Sequence, residues 1–415
     1  MIAERQMKDS GIDWIGGIPV GWRCLRNKYF TSPVKSPSKD GTEALLSVTE
    51  KHGVVPRENV KNFSGNLSRS ESLVGYLQVK PNFLVSNIML MWKRGLGVSR
   101  YKGIVSPAYS VFEFNDKAAP RYFDYLFRSD MYISEFRRNS TGIIMSRLRL
   151  YDDSFGAIFS HFPPLEEQKR ISGYLDQKTQ QIDELIEKTE KKIELLKEQR
   201  TAMINHCVTK GLNPNVEMKD SGIEWIGQIP KNYNTTRIRY LCHIKTGGRD
   251  KQDSVEDGEY PFFVRSPNIE KIDSWSFDGE AVLTSGDGAG VGKIFHYYEG
   301  KFDFHQRVYK LSKFNRIKGK YFFWFLRENF YHEILRWNAK STVDSIRLPL
   351  LQNFPMVVPP IEEQKQIADY LDQKTQQIDT VVEKEEKRIS LLKEYRQSLI
   401  SSAVTGKIKI TEAMV

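Results

Sequence analysis

The sequence predicts a mixed α/β (α+β) protein built from two globular segments and two long helices, arranged as an internal repeat. Two short sequence blocks each occur twice in the 415 residues, and the segments between them are rich in β-branched and aromatic residues. The block after each Pro-Pro pair opens a run of about 40 residues with helical apolar spacing. Together these patterns predict two copies of one unit, each a globular segment followed by a long helix.

Composition places the chain among ordinary globular proteins, since 40% of its residues are hydrophobic and 27% are charged. No apolar run approaches the roughly 20 residues that span a bilayer. The first ten residues also lack the apolar core of a secretory signal. Three scattered cysteines, Cys24, Cys207 and Cys242, form neither a disulfide framework nor a zinc pattern. We therefore expect a soluble cytoplasmic protein with no bound metal.

Two pairs of matching blocks define the repeat. MKDSGIDWIGGIP (7–19) and MKDSGIEWIGQIP (218–230) share 11 of 13 positions. PPLEEQKRISGYLDQKTQQID (163–183) and PPIEEQKQIADYLDQKTQQID (359–379) share 17 of 21. The first pair is offset by 211 residues and the second by 196, and the sequences between the blocks share little. Each copy is thus predicted to have shared ends and a divergent middle.

Each Pro-Pro block is predicted to begin a long helix, because proline suits the first helical turn and the paired glutamates suit its positive end. Apolar residues then recur in alternating steps of three and four, which favours pairing with another helix. The alternative is an unpaired amphipathic helix lying on its own globular segment. The predicted helix–helix and partner interface consists of Leu175, Ile182, Ile186, Ile193, Leu196, Met203, Leu371, Ile378, Val382, Ile389, Leu392 and Leu399.

Chain order predicts that the paired helices run antiparallel. The second globular segment begins where the first helix ends and leads directly into the second helix, so it adjoins opposite ends of the two helices. This predicts an antiparallel coiled coil with a globular domain at each end, related by a pseudo-two-fold axis. Further apolar residues widen the stripe and leave room for an additional partner: Leu185, Leu195, Val381 and Leu391.

The divergent middles carry the signals of mixed α/β domains. Runs of β-branched and aromatic residues bounded by glycine turns predict strands. These runs lie at 45–55, 75–87, 106–114, 280–298 and 304–311. Helical spacing predicts helices at 121–138 and 320–337.

Signatures of catalysis are incomplete in this sequence. GDGAGVGK (286–293) resembles a phosphate-binding loop, but three residues rather than four separate Gly288 from the Gly-Lys pair, and Ile294 replaces the required Ser or Thr. The Pro-Pro pairs follow Phe162 and Val358, whereas an amino-methyltransferase has Asn or Asp before its Pro-Pro-aromatic motif. We therefore expect no catalytic residue in this chain, and a glycine-rich turn at 286–293.

The net charge of +10 is concentrated in the globular segments. Residues 1–162 hold 23 Lys+Arg against 15 Asp+Glu, and residues 212–358 hold 21 against 18. A basic surplus indicates a polyanionic partner such as nucleic acid. Solubility is an equally good explanation of the charge alone.

Basic and polar residues on glycine-rich or serine-rich loops are the candidates for DNA contact, since Arg and Gln bind base edges and Lys and Arg bind phosphates. The alternative for each is an ordinary solvated side chain. The candidates in the first segment are Lys93, Arg94, Arg100, Tyr101, Lys102, Ser140, Thr141, Ser146, Arg147 and Arg149. Those in the second are Lys293, His305, Gln306, Arg307, Ser341, Thr342, Ser345 and Arg347. The repeated Trp14 and Trp225 are expected to anchor the core and not to stack on bases.

The order of divergent segment, PPLEEQ…YLD helix, divergent segment and PPIEEQ…YLD helix resembles the specificity subunit of Type I restriction–modification systems. The resemblance covers essentially the whole chain, and also rests on the two W-I-G-x-I-P blocks. It implies target recognition domains at 1–162 and 213–358. It implies spacer helices at 163–212 and 359–415, the second including a C-terminal tail.

The resemblance further implies that each domain reads one half of a bipartite, asymmetric site in double-stranded DNA. The helices would set the spacing and bind two methyltransferase (modification) subunits, which restriction/translocase subunits would join. Adenine methylation and restriction would occur on these partner chains, which would also carry S-adenosylmethionine, ATP and magnesium. Three rivals fit less well: a transcriptional regulator needs matched halves, a scaffold needs no basic domains, and an enzyme needs a catalytic motif.

Overall fold

The structure is a computed structural model that describes residues 5–59, 72–144, 148–288, 290–337 and 345–414. The chain divides into two compact units. The first unit is Met1–Thr189 with Arg388–Val415, and the second unit is Glu190–Lys387. Each unit therefore contains one globular part and a stretch of both long helices. Among the described residues, no helix is both long enough and apolar enough to cross a membrane.

The first unit is built largely from short strands. Its elements are β1 (Met7–Asp9), β2 (Gly17–Pro19), β3 (Arg23–Arg26), β4 (Thr31–Pro33), β5 (Leu46–Thr49), β6 (Gly53–Pro56), β7 (Leu77–Val79), β8 (Leu84–Asn87), β9 (Leu96–Val98), β10 (Gly103–Val105), β11 (Tyr109–Phe114), α1 (Pro120–Phe127), α2 (Asp130–Arg138), α3 (Asp152–Ala157), β12 (Phe159–Phe162) and the start of α4 (Leu165–Lys210).

An antiparallel sheet with strand order β4-β11-β8-β9 forms the centre of the first unit. The pairs β1–β2, β3–β12, β5–β6 and β7–β10 form separate two-stranded sheets in the same unit. The helical pattern at 121–138 forms two helices rather than one. Ser129 separates them, because its buried hydroxyl donates to the Leu126 carbonyl at 2.7 Å and closes a turn there.

The second unit repeats this order with a larger sheet. Its elements are β13 (Met218–Asp220), β14 (Gln228–Pro230), β15 (Asn234–Arg237), β16 (His243–Thr246), β17 (Tyr260–Phe263), β18 (Glu270–Ile272), β19 (Phe277–Ser285), β20 (Phe295–Phe304), β21 (Val308–Ser312), α5 (Gly319–Trp337), α6 (Leu348–Asn353), β22 (Pro355–Val358) and most of α7 (Ile361–Val404).

The sheet order β16-β21-β19-β20-β17-β18 contains a counterpart of every strand in the central sheet of the first unit, with β17 and β18 added at one edge. The pairs β13–β14 and β15–β22 match β1–β2 and β3–β12. The divergent sequences between the shared blocks therefore fold on one framework. The predicted mixed α/β class with two long helices is confirmed.

The long helices pair antiparallel within each unit. In the second unit Lys192 lies 2.6 Å from Glu385, and further along α4 Arg200 lies 3.0 Å from Asp379. In the first unit Arg396 donates to Asp183 at 3.3 Å. Residue numbers thus rise along α4 as they fall along α7. One partner of each pair is more than half exposed, and ion pairs at a surface contribute about 0–1 kcal/mol each. The apolar seam between the helices therefore provides most of the stabilisation.

Polar residues of the shared blocks tie each helix to its own globular part. Gln168 is fully buried; its amide donates to the Pro163 carbonyl at 2.8 Å and accepts from the Ala119 N–H at 2.7 Å. Gln364 repeats both contacts in the second unit. Because a buried amide left unpaired costs about 1–3 kcal/mol, these two glutamines define where each helix starts. The shared sequence blocks therefore supply the structural contacts that are common to the two units, which we call the framework.

The repeated tryptophans are half-buried and pack against the core of their own unit, which agrees with the anchoring role expected from their repetition. Trp14 packs edge-on against Tyr132 with ring centroids 5.1 Å apart. Trp225 packs between Phe325 and Phe354, at 6.4 and 6.1 Å. Aromatic packing of this kind stabilises a core beyond the area that it buries.

A buried histidine makes the stability of the first unit depend on pH. His161 on β12 is fully buried and its Nδ1 lies 2.8 Å from the Tyr132 hydroxyl. Burial, with a smaller contribution from Lys407, lowers its pKa to about 4. The unfolded chain binds a proton here below about pH 6.5, whereas the folded chain does so only near pH 4.

Folding stability is therefore expected to be complete above about pH 6.5 and to fall as the pH drops toward 4, by up to about 1.4 kcal/mol per pH unit. Urea unfolding of the whole chain between pH 7.5 and 5 measures this slope. The His161→Gln variant removes the titrating group and should flatten the profile. Equal slopes in the two proteins would assign the pH dependence to other groups.

Candidate nucleic-acid interface

The first candidate loop of the first unit follows β8 and leads into β9. Lys93 ends a short 3-10 helix and its ammonium lies 4.9 Å from the Trp92 ring. Arg94 has a left-handed backbone with φ of 61°, and its guanidinium pairs with Asp130. Arg100, Tyr101 and Lys102 are exposed beyond β9. The segments on either side of β9 thus present Lys93, Arg100 and Lys102 to solvent, whereas the half-buried Arg94 is paired with Asp130 at the surface.

Hydrogen bonds from Arg128 fix the position of this loop. Its guanidinium donates to the carbonyls of Glu50 at 2.8 Å and Lys51 at 3.1 Å on the β5–β6 turn, and to that of Leu96 at 2.5 Å. In return Arg94 Nε donates to the Arg128 carbonyl at 3.2 Å. A single side chain therefore joins two loops at the sheet edge, which the sequence pattern did not reveal.

Arg94, Arg100 and Tyr101 line a cleft of 1030 Å³ in the first unit, together with Arg121 and Arg128. Residues of α4 also line this cleft and contribute four carboxylates: Asp176, Asp183, Glu184 and Glu187. Arg100 lies 3.9 Å from the first of these. The cleft is therefore mixed in charge, whereas a DNA backbone requires a basic lining. The exposed loop is the better candidate for DNA contact than the cleft floor.

The second candidate loop of the first unit is closed by its own backbone. The N–H and C=O groups of Thr141 and Arg149 pair in both directions at 2.9 Å, and both residues are exposed. Ser140 donates its hydroxyl to the Phe136 carbonyl at 2.7 Å and so extends the end of α2. The predicted Ser146 and Arg147 lie outside the described residues, as do Ser341 and Thr342 of the second unit.

In the second unit the candidates gather where the sheet strands end. Arg307 immediately precedes β21, and its guanidinium bonds to Asp287, the second residue after β19. Gln306 donates to Asp250 at 2.7 Å. His305 is buried, and its Nδ1 accepts from the Arg307 N–H at 3.0 Å. His305 therefore shapes the backbone, while Gln306 and Arg307 are exposed to solvent.

Sequence patterns missed five residues of this cluster, namely Arg249, Lys251, Arg265, Asp287 and Asp303. Arg265 NH1 donates to Asp287 at 2.8 Å. Lys251, Arg265 and His305 line a cleft of 220 Å³ beside Asp287. Arg249 lies 3.5 Å from the buried Asp303. Burial raises the pKa of Asp287, but hydrogen bonds from Arg307 and Arg265 outweigh it and hold that pKa below its usual value. Segment 249–251 is basic and adjoins two glycines, a signal that could have identified it.

The remaining candidates of the second unit occupy the surface nearby. Ser345 pairs with Asp287 in an isolated bridge, and the next residue, Ile346, donates to the Gly286 carbonyl at 2.8 Å. Arg347 is exposed and occupies the position immediately before α6, without a side-chain hydrogen bond to the helix end. Lys293 is also exposed, with its ammonium 4.9 Å from the Tyr331 ring. The expected turn at 286–293 is present in its described residues.

Strand register identifies equivalent positions in the two units. Ser285 pairs with Val308 across β19 and β21, and Asn87 pairs with Tyr109 across β8 and β11. A backbone contact in each unit agrees with this register. The Leu150 N–H donates to the carbonyl of Ile88, the residue after Asn87, at 3.0 Å, and the Ile346 N–H likewise donates to the carbonyl of the residue after Ser285. Equivalent strand ends can therefore be compared residue by residue.

The predicted interface residues of the helices are all buried or half-buried. Leu175, Ile182, Ile193, Leu371, Val382, Ile389 and Leu399 are buried, and Ile186, Leu196, Met203, Ile378 and Leu392 are half-buried. Three of the four residues expected to widen the stripe are exposed, namely Leu195, Val381 and Leu391. The helix pair thus has an apolar seam and, beside it, apolar side chains facing solvent.

Comparison with known sequences gives one family and several relatives. Residues 230–390 match the family model of the Type I restriction modification DNA specificity domain. The Type I restriction enzyme EcoDI specificity subunit of Escherichia coli is 31% identical over 182 residues, which cover 44% of this chain and 40% of that subunit. The MjaVIII specificity subunit of Methanocaldococcus jannaschii is 26% identical, covering 95% of this chain and 94% of that subunit. The match thus spans less than half of the first relative and nearly all of the second.

Two solved structures resemble the whole chain. One, from work on complex assembly and conformational transition of the type I R-M system, aligns with a TM-score of 0.70 at 17% identity and covers 94% of this chain and 99% of its own. The HsdS subunit from Thermoanaerobacter tengcongensis aligns with a TM-score of 0.58 at 16% identity, covering 94% and 98%. At such identities the likeness shows the fold alone.

Proposed function

We propose that this chain, which matches the Type I restriction modification DNA specificity domain over residues 230–390 and is similar along its length to a type I specificity subunit, selects the DNA sequence on which partner chains act. Each globular part reads one half of a bipartite, asymmetric site in double-stranded DNA. The long helices set the gap between the half-sites and bind two methyltransferase subunits. Adenine methylation, and restriction by translocase subunits, occur on the partner chains.

The observation that carries this proposal is one framework with two different sets of strand-end residues. Shared residues such as Gln168 and Gln364 make matching framework contacts in both units. In contrast, the strand ends differ between the units. The second unit has Asp287 and Arg307 there, and by strand register the equivalent positions of the first unit hold Met89 and Ala108. Two readers on one framework are what a two-part, non-palindromic site requires.

No catalytic step is assigned to this chain in the proposal. The partner subunits carry S-adenosylmethionine, ATP and magnesium and supply the chemistry. The residues of this chain bind and orient the DNA: exposed lysines and arginines neutralise phosphates, and arginine and glutamine side chains pair with base edges.

Exposed leucines on the helices support the proposed docking of methyltransferase subunits. Leu195 and Leu391 occupy equivalent positions 196 residues apart, and their side chains are 52% and 54% exposed. Their sequence neighbours Leu196 and Leu392 are half-buried in the seam. Exposed apolar residues at matching positions of a repeat provide two similar docking surfaces, one for each methyltransferase subunit.

The test uses two matched pairs of substitutions in the chain co-expressed with the methyltransferase subunit. Leu195→Asp with Leu391→Asp should leave the fold intact but lower the co-purified methyltransferase at least about tenfold, because each places a charge in an apolar contact. Leu196→Asp with Leu392→Asp should instead destabilise the helix pair itself. Thermal unfolding distinguishes the two effects.

Two measurements decide whether the proposal holds. Methylated adenines mapped in the same cells should form a split motif with the wild-type chain and should disappear with the Leu195→Asp, Leu391→Asp chain. Leu195→Met with Leu391→Met is the control and should retain both binding and methylation. If the folded Leu195→Asp, Leu391→Asp variant still co-purified fully with the methyltransferase, the docking surface would lie elsewhere on the chain. If the wild-type chain directed methylation to an unsplit motif or to random adenines, the proposed function would be contradicted.

A further inference from the structure

One carboxylate in the second unit holds two arginines at the end of the sheet. Arg265 NH1 donates to Asp287 Oδ1 at 2.8 Å, and Arg307 NH1 bonds to the other oxygen, Oδ2. Each guanidinium uses only one of its terminal nitrogens for this contact, and an arginine has five N–H donors in a planar fork. Asp287 therefore fixes both side chains without exhausting their capacity to donate.

The three side chains differ in exposure in a way that suits recognition. Asp287 is 18% exposed, whereas Arg265 is 43% exposed and Arg307 is 61% exposed. The carboxylate lies beneath the two guanidinium groups, which extend toward solvent. A ligand that approaches from solvent therefore meets paired cationic donors before it meets the carboxylate.

The backbone around this group is held at several points. The Asp287 carbonyl accepts from the Ser285 hydroxyl at 2.8 Å, and Asp287 also pairs with Ser345. The Arg307 N–H donates to His305 Nδ1 at 3.0 Å. Because both ends of the Asp287–Arg307 contact have a fixed backbone, the carboxylate can set the direction in which the guanidinium points.

The arrangement is particular to the second unit. Strand register places Met89 at the position equivalent to Asp287 and Ala108 at the position equivalent to Arg307. Neither residue can form an ion pair. A structural requirement of the shared framework would appear in both units, so this group belongs to what differs between the two readers.

We propose that Asp287 is a positioning residue for base reading by the second unit, and that Arg265 joins Arg307 as a DNA contact. The inference rests on the proposed function, because it assumes that this end of the sheet meets DNA. The paired forks match guanine, whose N7 and O6 accept two hydrogen bonds from one arginine in the major groove. Because Asp287 holds the two arginine side chains in place before DNA binds, binding costs less side-chain conformational entropy.

Asp287 also opposes indiscriminate binding. Its negative charge lies close to where phosphates would approach the two arginines, so it weakens contacts that lack the geometry of a base edge. Two consequences follow from one carboxylate: binding to the cognate sequence is favoured by the fixed forks, and binding to any other sequence is disfavoured by the charge. A residue with a merely structural role would produce only a uniform change.

The test compares cognate and random duplexes, with the full chain in complex with its methyltransferase subunit. Asp287→Asn should weaken cognate binding about tenfold, while random DNA binds equally well or more tightly. Asp287→Glu should recover most of the cognate affinity. Asp257→Asn is the control, since it removes one exposed charge that no arginine is paired with among the described residues, and should change both affinities alike.

Arg265→Ala provides an independent arm should the Asp287→Asn chain fold poorly. It should also lower cognate affinity about tenfold and lower random affinity much less. Equal changes on the two duplexes in both Asp287→Asn and Arg265→Ala would overturn the inference. If the wild-type complex itself did not prefer the cognate duplex, the proposed function would fail instead, so the two failures are distinguishable.

Discussion

Replacing residues 231–358 with the corresponding segment of a relative is expected to change one half of the methylated DNA site and leave the other half intact. The exchanged segment contains β15 to β22 and every DNA-contact candidate of the second unit. The shared blocks remain, so the framework contacts of Gln364 persist. Each mismatched base pair costs about 1–3 kcal/mol, so three or four changed positions would abolish recognition of the old half-site.

Adenine-methylation mapping of genomic DNA measures this result, in cells that carry the chimera and its methyltransferase partner. Exchange of residues 20–162 is the matched experiment and should change the other half-site. Exchange of the shared block 359–379 should change neither, because it supplies framework. If both halves changed together, or if the 231–358 chimera kept its original site, the two-reader model would be wrong.

The long helices were predictable because their signals are local and strong. Pro163 and Pro359 mark the starts, and the apolar stripe repeats over many turns. The structure places the helices at Leu165–Lys210 and Ile361–Val404, and pairs them antiparallel within each unit as chain order required. The apolar pattern alone could not distinguish residues of the helix–helix seam from residues that face solvent. Leu195, for example, continues the apolar stripe in the sequence but is exposed in the structure.

The cluster around Asp287 was not predictable, because sheet order brings it together. Arg265 follows β17, Asp287 follows β19 and Arg307 precedes β21, and these strands lie in the order β21-β19-β20-β17. Strand runs in the sequence do not reveal that order. Among the described residues of the first unit, no strand is hydrogen-bonded to β9 in the way that β17 is to β20. The glycines around Asp287 suggested a comparison with phosphate loops, whereas in the structure the aspartate itself bonds to both arginines.

At the start of each long helix, an aromatic side chain bonds to a glutamate of the shared block, a repeated contact that comparison of the sequences alone did not reveal. Trp22 Nε1 donates to Glu167 at 2.8 Å in the first unit, and the Tyr233 hydroxyl bonds to Glu363 in the second. In each unit the aromatic side chain also lies beside a glycine at the end of the other long helix: a Cβ added at Gly211 would lie 2.3 Å from the Tyr233 hydroxyl, and one added at Gly406 would lie 2.9 Å from the Trp22 ring. The start of one helix, the end of the other and the globular part therefore meet at one point, which makes this point critical for stability.

Substitution of Gly211 by alanine is expected to be among the most destabilising single changes in the second unit. Gly211 ends α4 with φ of +77°, a conformation that costs an alanine about 1–2 kcal/mol. A Cβ there would also lie 2.3 Å from the Tyr233 hydroxyl and 2.9 Å from Glu363 Oε1. Since Tyr233 is fully buried, it cannot move aside without disturbing the core. We expect a total loss of at least about 3 kcal/mol.

Gly222 offers a control with nearly the same backbone and no neighbour to clash with. Its φ is +72°, and no atom lies within 4 Å of the position that a Cβ would take. Gly222→Ala should therefore show the backbone cost alone, about 1–2 kcal/mol. Urea unfolding of the full chain, with hydrogen exchange followed on peptides of the second unit, measures both variants. The excess loss in Gly211→Ala is the contribution of close packing against Tyr233, and equal losses would mean that the helix end adjusts freely and that this junction does not hold the second unit together.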